Sequence, residues 1–151
     1  MIRLNKLTDY AIVILGQMAT QPALLHTSTH LAQTTGVPVA TVAKVLKQLA
    51  TAKLIDSHRG VTGGYRLKGT TQGITVRAVI EAMDGPIAIT DCVKLASGKA
   101  FCASLNTCPS RGKWDKVNAA IVQALDTITL NDMVMTPHRH VDTSPHLINI
   151  Q

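Results

Sequence analysis

Apolar side chains at Leu7, Ala11, Ile14, Leu15 and Met18 recur at helical spacing, so residues 5–20 are predicted to form an amphipathic helix closed by Pro22. Ser28 is placed to cap a second helix that runs through Leu31 and Ala32 to Thr35 and stops at Gly36. Pro38 suits the first turn of a third helix, whose stripe is Val42, Val45, Leu46, Leu49 and Leu54. Helix, glycine-containing turn and helix together make a helix-turn-helix pattern. The period then changes. Residues 55–59 read as a short strand, 60–64 as a glycine-rich turn and 65–68 as the returning strand, a hairpin placed as a wing.

Thr75 is positioned to cap a fourth helix over residues 76–83, which Asp84, Gly85 and Pro86 end. No period persists from there to Pro109. Ser110 then starts a long helix with Trp114, Val117, Ile121, Ala124, Leu125 and Ile128 on one face. A stripe of roughly five turns suits a dimer seam, the alternative being packing against the chain's own helices. Thr129 with Asp132 three residues on forms a capping signature for one last short helix. Beyond Pro137 the chain is polar and carries His138, Arg139, His140 and His146. The expected fold is mainly α with a small β-hairpin wing. It divides into a winged helix-turn-helix domain (1–84), a cysteine-bearing loop (85–109), a dimerisation helix with a short terminal helix (110–136) and a flexible tail (137–151).

Composition narrows the function. The 151 residues are 46% hydrophobic, enough for a packed core, but only 3% aromatic, which disfavours binding single-stranded nucleic acid by base stacking. The net charge of +6 is unevenly placed. Residues 1–70 hold eight Lys and Arg against Asp9 and Asp56, whereas residues 71–151 hold seven of each sign. An excess confined to the half with the winged pattern points to a polyanion, double-stranded DNA. Asp9 separates Arg3 and Lys6 from a short apolar run that Gly16 and Gln17 end, far below the roughly 18 residues of a membrane span, so a complete, cytoplasmic chain without a membrane partner is expected.

The helix placed to enter a major groove presents small and polar side chains at Pro38, Ala40, Thr41 and Lys44, with Lys47 placed for a phosphate and Arg59 at the base of the wing for a minor groove. The bland alternative for each basic residue is a solvated surface side chain. Cys92, Cys102 and Cys108 are separated by nine and five residues, an odd set unlike a secreted disulfide framework. Three thiolates on one loop can bind a soft metal centre, leaving one coordination position to another residue; the paired spacing usual for zinc is absent, and buried structural cysteines are the other reading. No catalytic grouping appears, so an enzyme is not expected.

The chain resembles the Rrf-two family of winged-helix regulators, which includes regulators of iron-sulfur cluster biogenesis and nitric-oxide-sensing repressors. The marks are Leu4-Asn5-Lys6-Leu7-Thr8-Asp9-Tyr10-Ala11, the wing Arg59-Gly60-Val61-Thr62-Gly63-Gly64-Tyr65, the three-cysteine loop and Ile128-Thr129-Leu130. Within that family it looks closest to regulators of the Suf iron-sulfur assembly operon. The resemblance implies a homodimer with crossing long helices, a palindromic DNA site, and a [2Fe-2S] or [4Fe-4S] cluster held by Cys92, Cys102 and Cys108. Members with a histidine ligand carry it where Arg111 stands here; members with an aspartate take it from the first helix of the other subunit, where Asp9 stands. The implied function is a repressor of cluster-assembly genes that senses iron-sulfur status. Its rivals are a thiol-redox or nitric-oxide-responsive regulator, and an iron-sulfur carrier or scaffold.

Overall fold

A computed structural model of the chain describes residues 3–93, Cys102 and residues 107–135. The expected tail, 137–151, and most of the stretch from Cys92 to Cys108 lie outside the described residues. The elements are α1 (Lys6–Ala19), α2 (Ser28–Thr35), α3 (Val39–Thr51), β1 (Ile55–His58), β2 (Gly64–Leu67), a single tight helical turn (Thr71–Gly73), α4 (Val76–Asp84), α5 (Lys113–Thr127) and α6 (Leu130–Met135). The strands pair antiparallel with Ile55 opposite Leu67 and His58 opposite Gly64. A mainly helical winged-helix fold with a two-stranded hairpin is therefore what the sequence pattern specifies.

Several boundaries differ from the sequence expectation, each for a local reason. The cap of α2 is Thr27, not Ser28. Its extended backbone lets its side chain accept the His30 N–H at 3.2 Å, and Ser28 is already helical. Pro38 is the cap residue of α3 rather than its first-turn residue, at φ −56° and ψ 137°, so the helix begins at Val39. Leu54 lies beyond α3, because the chain turns at Lys53 with φ 61°. Arg59 and Lys68 fall just outside the strands. The long helix starts at Lys113 after a Gly112 cap, which shortens it to 15 residues, about four turns.

The core forms around α1. Ala11, Ile14, Leu15 and Met18 are fully buried, one face of a helix packed among α2, α3, α4 and α6. Leu31, Val42, Val45, Leu46, Leu49, Ile55, Leu67, Val79 and Leu130 close around them in one cluster. The chain leaving α5 is tied back to the start of α4: Val76 donates to the Ile128 carbonyl at 2.8 Å and Leu130 to the Ile74 carbonyl at 2.7 Å. That bridge places α6 against α1. The expected capping signature of α6 is formed, since one Asp132 oxygen accepts from both the Thr129 N–H at 2.8 Å and its hydroxyl at 2.7 Å. Those bonds from the Thr129 hydroxyl and then its backbone hold the Asp132 carboxyl below the ordinary carboxylate range.

Gly16 lies inside α1, and a methyl group there would meet Val134 Cγ2 at an ordinary 3.7 Å. Because the added side chain fits and glycine weakens a helix interior, Gly16→Ala should raise the free energy of unfolding by about 0.5–1 kcal/mol. Chemical denaturation checks this, and a lower midpoint at unchanged slope would show that α6 has no room to give.

Candidate nucleic-acid interface and thiol segment

The exposed face of α3 is built by helical period alone. Ala40, Lys44 and Lys47 share the side opposite buried Val42, Val45, Leu46 and Leu49, with half-buried Thr41 on its flank and exposed Pro38 at its start. No side chain caps the first turn of α3; the Thr41 and Val42 N–H groups both donate to the Pro38 carbonyl, at 2.9 and 3.0 Å. Lys47 lines an open depression of about 400 Å³ together with Thr51, Asp56, Ser57 and Tyr65, which places the middle of α3 beside the wing strands. Arg59 is exposed, and it opens the turn just past the last strand pair, His58 and Gly64, rather than lying at the base of the wing, where Ile55 pairs with Leu67; Val61 stands fully exposed in the same turn.

The wing is anchored rather than loose. Buried His26 pairs with Tyr65 as a third strand would: the His26 N–H donates to the Tyr65 carbonyl at 2.8 Å, and the Tyr65 N–H to the His26 carbonyl at 2.9 Å. The ring Nε2 of His26 lies 3.1 Å from the Gln21 carbonyl, which can only accept, so Nε2 carries the proton. This anchor requires glycine. A Cβ on Gly64 would sit 2.9 Å from the His26 carbonyl oxygen, and one on Gly63 would collide with the carbonyls of His58 and Gly60. The sequence Gly60-Val61-Thr62-Gly63-Gly64 is thus the steric condition for a wing folded against the α1–α2 connection.

The sulfurs belong to the opposite half of the chain. Cys92, Cys102 and Cys108 are all half-buried and none is in a disulfide. Thr90 Oγ1 lies 3.2 Å from Cys92 Sγ, and the Cys108 carbonyl accepts the Arg111 N–H at 3.2 Å. Three uncombined, partly accessible thiols fit an iron-sulfur cluster in donor type. Among the described residues of the single chain, however, no three His, Cys, Asp or Glu side chains are gathered as a metal would require. Asp9 is exposed in the first turn of α1 and lines an open depression of about 960 Å³ with Arg3, Leu4, Asn5 and Lys6. Arg3 also lines a neighbouring depression of about 420 Å³ with Asp84, Gly85, Pro86 and Ile89.

The Rrf2 family, described as iron-dependent transcriptional regulators, matches residues 4–136 of this chain. The chain belongs to the Rrf2 (Rrf-two) family. It is 30% identical to the HTH-type transcriptional regulator IscR of Vibrio cholerae over 100 residues, 66% of this chain and 56% of that protein. It is 26% identical to the HTH-type transcriptional repressor NsrR of Streptomyces coelicolor over 154 residues, 99% of this chain and 96% of that protein. Among solved structures, CymR, the global cysteine regulator of B. subtilis, superposes with a TM-score of 0.66 at 22% identity, covering 89% of this chain and 97% of that one. As a member of the Rrf2 family the chain is a DNA-binding transcriptional regulator, and its relatives are regulators rather than enzymes. Among the described residues no helix is long and apolar enough to cross a membrane.

Two polar residues near the thiol segment hold positions that the sequence pattern does not announce. By pattern Asp84 is only part of a helix stop, yet its Oδ2 accepts the hydroxyl of buried Thr8 at 2.7 Å and its Oδ1 accepts from the Asn5 amide. Asn5 in turn caps α1 by accepting the N–H groups of Leu7 at 2.7 Å and Thr8 at 3.0 Å. Only the fold brings these residues together, since Asp84 lies 79 and 76 positions from Asn5 and Thr8. Asn118 is the second, and it does leave a signal: it interrupts the apolar stripe of α5 between Trp114 and Ile121, and it is the buried residue of that helix.

Replacing Gly63 by Ala forces the turn of the wing open at a strain of about 1–3 kcal/mol, and should lower affinity for duplex DNA roughly tenfold at fixed salt while the helical circular dichroism stays unchanged. Fluorescence anisotropy measures the affinity; equal binding by a folded variant would remove the wing from the interface.

Proposed function

We propose that this Rrf2 regulator acts as a homodimer on palindromic duplex DNA, and that Cys92, Cys102 and Cys108, with Asp9 of the partner subunit, hold a [2Fe-2S] or [4Fe-4S] cluster through which it senses iron-sulfur status and represses cluster-assembly genes. The observation that carries this reading is the pairing of two features on one small chain: an exposed basic face on α3, and three free, partly accessible thiols in the segment that precedes α5. A bound cluster would supply a chemistry sensitive to iron, oxygen and nitric oxide. The division into a reading domain (1–84), a thiol loop (85–109) and a dimerisation region (110–136) belongs to the same proposal.

The reading assigns DNA contacts by position. Pro38 and Ala40 let α3 approach base edges closely, Thr41 and Lys44 reach base or phosphate, Lys47 takes a phosphate, and Arg59 enters the minor groove. The dimer is supported by α5. Trp114 and Val117 in the first half of α5 are 41% and 45% exposed, and Ile128, which lies just beyond the helix in extended backbone rather than on its face, is 41% exposed, whereas Ile121 and Leu125 are half-buried within the chain. The stripe is thus partly covered by the chain itself, and its uncovered residues are available to a second copy. An isologous pairing covers the same residues on both copies and gives the two α3 helices the two-fold relation that a palindrome requires.

One observation favours the thiol-switch reading instead: the thiols of the single chain are not assembled into a metal-binding set among the described residues. Anaerobic purification with iron and sulfide counted per chain separates the two. The cluster reading predicts a visible chromophore with iron and sulfide in equal amounts, lost on substitution of any of the three cysteines by Ala, and made more labile by Asp9→Ala. A colourless chain that takes up neither element on reconstitution, yet changes its DNA affinity on reversible thiol oxidation, would replace it with the thiol switch.

A further inference from the structure

The side chain of Asn118 bridges α5 to the backbone that precedes the first cysteine. Its Nδ2 donates to the Ile87 carbonyl at 3.0 Å, and its Oδ1 accepts the Ile89 N–H at 3.1 Å. In an extended segment a carbonyl and the N–H two residues later point to the same side, so one amide side chain reads this backbone as an adjacent strand would. Asn118 is 8% exposed and both ends of its amide are satisfied. The clamped backbone leads directly to Cys92, through Thr90, whose carbonyl accepts the Val93 N–H at 3.1 Å and whose hydroxyl lies against the Cys92 sulfur. Val93, on the far side of the thiol, is buried.

We propose that Asn118 is the positioning residue of the thiol segment: its amide fixes the backbone of Ile87 and Ile89 on α5 and thereby sets how far the Cys92 sulfur is presented to solvent and to its reaction partners. The helix assigned to the dimer then also holds the segment that carries the first cysteine. An apolar residue at position 118 would remove the side chain that pairs with the Ile87 carbonyl and the Ile89 N–H in this half-buried segment, and those groups would turn to water instead, loosening the backbone that leads to Cys92. The weight of this placement for signalling rests on the thiol segment being the sensor. The clamp does not.

The test uses the full chain, reduced and free of metal, with the rate of reaction of each cysteine with 4,4′-dithiodipyridine resolved by peptide mass spectrometry. Asn118→Leu should accelerate modification of Cys92 by about fivefold or more through local opening, with Cys108 unchanged as an internal control. Asn118→Gln, which keeps the amide, should fall between Leu and wild type. If Asn118→Leu does not fold, Asn118→Ala leaves room for water on the freed backbone groups and carries the same expectation. A folded Leu or Ala variant with wild-type Cys92 reactivity would overturn the proposal, as would an equal acceleration at both cysteines, which marks general loosening. Iron and sulfide uptake by the wild-type chain is scored separately, so failure of the cluster reading leaves the reactivity result standing or falling by itself.

Discussion

The burial of one face of α1 is the constraint from which the rest follows. Ala11, Ile14, Leu15 and Met18 have no exposed surface, and they are covered by four different helices. Those helices differ in what they carry, since α2 and α3 form the helix-turn-helix, α4 leads into the thiol segment, and α6 brings the end of α5 home. A protein interior packed at crystal-like density does not let one of these neighbours shift while the others stay in place. The placement of α3, the proposed DNA-reading helix, and that of α4, which leads into the thiol segment, are thus set by contacts to the same helix.

Polar contacts then give that packing a direction. The N-terminus of α1 is capped by Asn5, and Asn5 is held by Asp84 at the far end of α4, where the thiol segment begins. A carboxylate at the C-terminus of α4 is poorly placed for that helix's own dipole but well placed for the start of α1. Arg77 ties α4 to α5 through Asp126 at 3.4 Å and to Glu81 at 3.1 Å; the hydrogen bond and charge of Glu81 raise its pKa, so the guanidinium is charged at any working pH. Partly exposed pairs of this kind add little to stability. With Asn118 on the other flank, the residues just before Cys92 are held from both sides of the molecule.

Much of this is legible from one sequence. The apolar stripes of α1 and α3, the glycine turn of the hairpin, the Thr75 cap and the Thr129 and Asp132 cap each depend on residues close in the chain, and local periodicity and capping rules read them directly. Sequence and structure part where two residues compete for one local role, as Thr27 and Ser28 do for the cap of α2, and where helical period extends back into a preceding turn, as with α5. The His26 and Tyr65 pairing, made by backbone groups that every residue carries, and the Asp84 contact with Thr8 are illegible, since each joins residues far apart in sequence, while Asn118 shows in the sequence only as a polar break in the α5 stripe, without its partners. The glycines of the wing fall between. Their spacing announces a turn, whereas the reason Gly64 must lack a side chain, the His26 backbone beside it, is a tertiary fact.

In the proposed function the state of the thiol segment governs α3 through α4 and the α1 core on which both helices pack. The most direct measurement of that coupling selects a binding duplex from a random pool, then compares the affinity of the chain for that duplex with and without iron and sulfide at one ionic strength. The account predicts that the two dissociation constants differ at least about tenfold, the scale of an ordinary allosteric coupling. Equal constants for the loaded and unloaded chain would contradict it, and would make the thiol segment and the DNA face independent tenants of one fold.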